Sequence, residues 1–221
     1  MRAKIMDEEK QQEIRELLSD YGKAKKHLFI RLGSREQLGP FAAELVQRDF
    51  LDLAVTCHID ISHILGMDAS IQARTNFLPV LGVTEEKLFE DALENSMAAK
   101  PARVTTLSST MRELLGIPGE DAPEGEEGEL HVVTNEGIVY GASAILYPGV
   151  LKRLAGKLGG NLFLIPSSVH EFLAIRDDCG VEKDELEALI RDVNRAEVAE
   201  QDRLSDHLYR YDTESGEVTP A

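Results

Sequence analysis

The chain has 221 residues, 43% of them hydrophobic, and its carboxylates outnumber Lys and Arg by 40 to 24, for a formal net charge of −16. That apolar content suits a folded core and excludes a mostly disordered chain, while the length suits one substantial core or a main domain with a small helical lobe. The negative field repels phosphate backbones, so no nucleic acid is expected as a partner; with no apolar run near the ~20 residues that span a bilayer, no membrane is expected either.

From the amino end, Ile14, Leu17, Leu18 and Tyr21 recur at helical spacing over residues 8–21. Leu28, Phe29 and Leu32 read as a second helical stretch that Gly33 ends. Gly39-Pro40 marks a turn, Phe50 to Val55 a buried strand, and Ser70 to Phe77 another. Thr84 is placed as an N-cap, with Glu85 and Glu86 in the first turn and Leu88, Phe89, Ala92 and Leu93 as the buried stripe. A short helical turn at Ser109 to Leu115 stops at Gly116 and Pro118. Residues 119–129 hold six carboxylates, three glycines and one proline, the composition of a solvated linker.

Beyond the linker, Leu130 to Val133 and Gly141 to Tyr147 read as strands joined by a turn at Asn135-Glu136-Gly137. Pro148 suits the start of a helix lined by Val150, Leu151, Leu154, Ala155 and Leu158, and Gly159-Gly160 ends it. Asn161 to Ile165 and Val169 to Ile175 are strands around the Pro166-Ser167-Ser168 turn. A helix follows over Val181 to Arg195, then a strand over Leu204 to Tyr211 and a loose tail over 213–221. The order β-β-α-β-β-α-β predicts an α+β fold, a mostly antiparallel sheet with helices on one face plus a small N-terminal helical lobe. The domain boundaries expected are 1–118, the linker 119–129, and a carboxy-terminal domain over 130–212.

Cys57 and Cys179 lie too far apart to suggest a disulfide framework, and the amino end turns acidic without the apolar stretch of a signal peptide. A cytoplasmic location is expected.

The stretch LHVVTNEGIVYGASAILYPGVLKRLAGKLGGNLFLIPSSVHEFLAI, residues 130–175, resembles a family of uncharacterised bacterial proteins from gut Clostridia, domain of unknown function 5688. Residues 193–212, and upstream 48–59 and 81–96, carry the same likeness, which covers most of 23–212. A fainter similarity runs to the YtpQ family, through the VTEEKL helix, the apolar hairpin and the LYP helix start. The resemblance implies a bacterial cytoplasmic protein and a core shared through the LYPG, PSS-VHE and LSDH segments. It implies no activity. Members often carry a further segment ahead of the matched part, which this chain is expected to lack.

Two local clusters have the ingredients of chemistry. Ser167, Ser168, His170 and Glu171 supply hydroxyls, an imidazole and a carboxylate. On a strand, however, His170 and Glu171 point to opposite faces, and no G-x-S-x-G elbow surrounds either serine. The hydroxyls are read as turn residues beside Pro166. Asp206 and His207 form the second cluster; were their strand beside the one holding His170, the two histidines with Asp206 or Glu171 would make a divalent-metal set. His58 and His63 flank Asp60, and Cys57-His58 is read as a strand end. No H-x-x-x-H, C-x-x-C or phosphate-binding glycine loop occurs, so no cofactor is expected. The acidic excess favours a non-catalytic module with a protein partner of basic charge. The alternatives are a metal-assisted hydrolase on His170 and His207, and an acidic mimic of DNA.

Overall fold

The structure is a computed structural model and describes residues 7–117 and 128–221. All but the last two positions of the acidic stretch 119–129 lie outside the described residues. The chain divides into two compact units. The first holds the described residues within Met1–Arg31, Leu38–Arg48 and Val55–Ala99; the second holds those within Leu32–Gln37, Asp49–Ala54 and Lys100–Ala221.

In the first unit, α1 (Glu8–Ser19) is capped by Asp7, whose carboxylate accepts from the Glu9 amide, and buries Ile14 and Leu17. A short α2 (Tyr21–Ala24) follows. The chain then extends as β1 (Leu28–Ser34), where helix was expected. Leu28 and Leu32 satisfy either period, but the residues the fold buries are Leu28, Ile30 and Leu32, the alternation of a strand, with Phe29 on the other face.

The apolar run at Phe50 to Val55 is likewise two strands, β2 (Gln47–Phe50) and β3 (Leu53–Asp60), separated by a turn where Leu51 takes a positive φ of 58°. After α3 (Ser62–Leu65), the strand expected to reach Phe77 shrinks to β4 (Ser70–Gln72), because Phe77 opens α4 (Phe77–Leu81). In this four-stranded sheet β3 lies between β1 and β2 and also pairs with β4. The helix expected after Thr84 is α5 (Glu85–Ala99); the Thr84 hydroxyl accepts from the Lys87 amide, and Leu88, Phe89 and Ala92 are buried.

The second unit opens with β5 (Ala102–Thr106), a strand that weak apolar content hid, followed by α6 (Leu107–Leu115). Next come β6 (His131–Asn135), α7 (Val150–Leu158), the hairpin of β7 (Leu162–Ser168) and β8 (Glu171–Arg176), and α8 (Lys183–Ala196). The expected strand from Leu204 contracts to β9 (Tyr209–Tyr211). The expected tail returns as β10 (Val218–Pro220), pairing Val218 with Tyr211. Six antiparallel strands run in the order β10-β9-β7-β8-β6-β5.

Gly141 to Leu146, expected as a strand, is a tight 3-10 turn packed on β6. The cause is visible at Gly141: a Cβ there would stand 2.0 Å from Thr134 Oγ1 and 2.5 Å from the His170 carbonyl, so only glycine permits the approach. Phe163 and Ile165 of β7 pack against Leu186 and Ile190 of α8. The other face of the sheet carries buried Leu164, Phe172 and Ala174; its β5 residues Ala102 and Val104 line one cavity with Val150 and Leu154 of α7. Antiparallel sheets with packed helices make the fold α+β.

Candidate functional site

The serine-histidine cluster sits where β7 turns into β8, at a bulge between Pro166 and Ser168. Both hydroxyls donate to one oxygen, Glu171 Oε1: Ser167 at 3.0 Å and Ser168 at 2.9 Å. His170 lies in the turn itself, and its backbone N–H donates to Ser168 Oγ at 3.1 Å. Its ring faces elsewhere. Nδ1 accepts from the Tyr140 amide at 3.2 Å, and Nε2 stands 3.8 Å from Asp202 Oδ1. With Nδ1 used as an acceptor, the neutral ring carries its proton on Nε2. The imidazole therefore touches neither hydroxyl, while a nucleophile needs its base within hydrogen-bond reach. The cluster locks a turn: the Thr134 hydroxyl donates to the His170 carbonyl at 2.8 Å, fixing β6 to the same corner.

Asp206 and His207 fall elsewhere. β9 pairs with β7 and β10, so β7 separates it from β8 and the adjacency to His170's strand is not formed. Both residues line a cleft of about 640 Å³ within the second unit, and His170 does not. Asp206 Oδ1 accepts from Asn194 Nδ2 at 2.7 Å, and the His207 amide donates to Ser205 Oγ at 3.0 Å. Among the described residues no group of three or more His, Cys, Asp or Glu is placed to hold a metal ion.

The cleft also gathers residues with no warning in their local sequence. Asp52 reaches it from the turn after β2 and accepts from Ser205 Oγ at 2.7 Å and from Tyr209 Oη at 2.6 Å. Burial first, and then the hydrogen bond to Asp52, push the Tyr209 pKa up, which keeps its hydroxyl a donor. Arg191 and Arg195, one helical turn apart on α8, face the cleft with Arg203. Their spacing was the one signal in the sequence.

A third feature is a surface. The Thr105 and Thr110 hydroxyls bond at 2.9 Å, and Arg103 pairs with Glu113, tying α6 to the edge strand β5. Thr106 Oγ1 caps the helix by accepting from the Ser109 amide at 3.1 Å. No residue of α6 is buried. Met111, Leu114, Leu115 and the following Ile117 are 49%, 71%, 66% and 53% exposed.

No helix among the described residues is long and apolar enough to cross a membrane. No curated protein and no solved structure matches the chain. A family model does match, across residues 2–213, and by that match the chain belongs to the family of unknown function DUF5688.

Proposed function

We propose that the chain is a non-catalytic protein-interaction module, and that it docks a basic amphipathic segment of its partner on α6. The observation that carries this reading is the exposure of Met111, Leu114, Leu115 and Ile117 on an element with no buried residue. A soluble surface gains nothing from four clustered apolar side chains, and such patches mark contact sites. An amphipathic helix laid against them buries its own apolar stripe, reading i, i+3 and i+4 anchors. Charge selects among such helices. The run at 119–129 follows α6 directly in sequence with six carboxylates, and the net charge of −16 steers basic partners inward. A reducing, cytoplasmic setting suits two unpaired cysteines, one of them buried.

The test is fluorescence anisotropy with a labelled helical peptide patterned with Leu on one face and Lys on the other. Saturable binding is expected, weakened at least ~10-fold by the double change Leu114→Glu and Leu115→Glu, since two hydrophobic contacts are removed and carboxylates are put in their place. Both positions are exposed, so the variant folds and its thermal midpoint stays close to that of the parent. Unchanged affinity in that variant refutes the reading.

A further inference from the structure

We propose that the cleft at the end of α8 is a binding site for a small organic oxyanion, a carboxylate or phosphate on a molecule that also carries hydroxyl or ammonium groups, held by Arg195 and Arg203. This site is separate from the α6 surface and does not depend on it.

At about 640 Å³ the cleft has the size of a small-molecule site, which typically spans roughly 300–1,000 Å³. Its walls are fixed before any ligand arrives. Gln37 Nε2 donates to the carbonyls of Glu200 at 2.5 Å and Arg203 at 3.1 Å, and Asn194 Nδ2 donates to the Ser205 carbonyl at 3.0 Å as well as to Asp206. Asp52 anchors Ser205 and Tyr209 from the opposite side. A site built in this way loses little ordering entropy on binding.

The two guanidinium groups are what the fold leaves unused. Among the described residues the Arg195 guanidinium makes no hydrogen bond or ion pair, and the Arg203 guanidinium uses only Nε, on the Val198 carbonyl at 3.0 Å. In a chain with 40 carboxylates to 24 cations, arginines without a carboxylate are against expectation. The nearby acids do not supply one: Asp52 is taken by two hydroxyls and Asp206 by Asn194. The third arginine, Arg191, pairs with Glu187 at 3.5 Å. The dipole of α8 accounts for a cation at Arg195, in its last turn, but not for Arg203 beyond it. A guanidinium fork matches carboxylate and phosphate oxygens in pairs. Glu36 and Glu200, on the same walls, repel a bare polyanion and accept from hydroxyl or ammonium groups of the ligand. That combination selects an oxyanion with donors attached.

The experiment is an NMR titration of the whole ¹⁵N-labelled chain with O-phosphoethanolamine and, separately, with L-glutamate, both of which carry an ammonium group. Saturable shifts are expected at the Arg195 and Arg203 Nε–H signals and the amides of 203–207, and the tighter probe assigns phosphate or carboxylate chemistry. Arg195→Gln and Arg203→Gln should each weaken binding about 10-fold, as the loss of a charge-assisted contact does. Arg15→Gln on α1, which removes equal charge outside the cleft, should leave affinity unchanged. Arg195→Lys, keeping charge without the fork, should fall between parent and Arg195→Gln. The proposal is overturned if neither probe shifts these signals, if both glutamine variants bind as the parent does, or if Arg15→Gln loses as much.

Discussion

His58 is buried on β3 with its ring nitrogens beside Thr56 Oγ1 at 2.9 Å and Ser70 Oγ at 3.3 Å, and with Phe29 stacked on it. Burial first, and the Arg31 charge second, lower its pKa to about 3, so the folded chain keeps it neutral. The unfolded chain takes up a proton on this residue below its ordinary value near 6.5. Its contribution to stability is therefore whole above pH 6.5 and is lost as pH falls toward 3, by up to about 1.4 kcal/mol per pH unit. Urea midpoints measured from pH 7.5 to 5 should fall more steeply for the parent than for His58→Gln; equal slopes would show that the ring is hydrated. At Gly141, alanine would bring a Cβ into Thr134 and the His170 carbonyl, two groups the fold holds in place. Gly141→Ala should cost about 3 kcal/mol by overpacking, read as a lowered urea midpoint at unchanged slope. Neither residue announces this in the sequence. His58 reads as the end of a strand, and a lone glycine before Ala-Ser-Ala carries no mark of what will lie 2.0 Å away.

Elements whose partners lie close in the chain were legible. The helix after Thr84 carries its cap and its stripe within ten residues, and α7 and α8 fall where period and breakers place them, while the β7–β8 hairpin is found with its turn three residues later than Pro166 suggested. Those misread depend on distant partners. β5 holds only Ala102 and Val104 as apolar residues and becomes a strand because β6, some thirty residues on, supplies the ladder. β9 is short for a similar reason. Its place is fixed by Leu162 and Leu164 opposite Tyr211 and Tyr209, and by the Tyr209 hydroxyl on Asp52. Tyr209 is 0% exposed, so Tyr209→Phe keeps the packing and removes only that bond. The expected loss is about 1–2 kcal/mol, since Asp52 retains Ser205 as a donor. A calorimetric midpoint unchanged in the variant would mean that Asp52 is already satisfied by water.

For the molecule as a whole, sixteen excess negative charges repel one another in the compact state. Raising sodium chloride from about 10 mM to 300 mM shortens the screening length from roughly 30 Å to under 10 Å and should lift the thermal midpoint by a few degrees. A flat response would mean that the ion pairs balance the field locally. The sequence by itself determined the charge, the α+β class and the family, because composition, period and motif are properties summed along the chain. It did not place the β7–β8 turn: Pro166, Ser167 and Ser168, expected to turn, belong to β7, and the chain turns at Val169 and His170 instead. Only the tertiary structure decided that His207 lines a cleft that His170 does not line, that β5 exists, that Asp52 meets Tyr209, and that Arg195 and Arg203 share that cleft with Asp206 and His207. Each of these turns on which strand pairs with which across the sheet. Pairing is chosen by the burial of whole faces, and a local window of residues does not contain it.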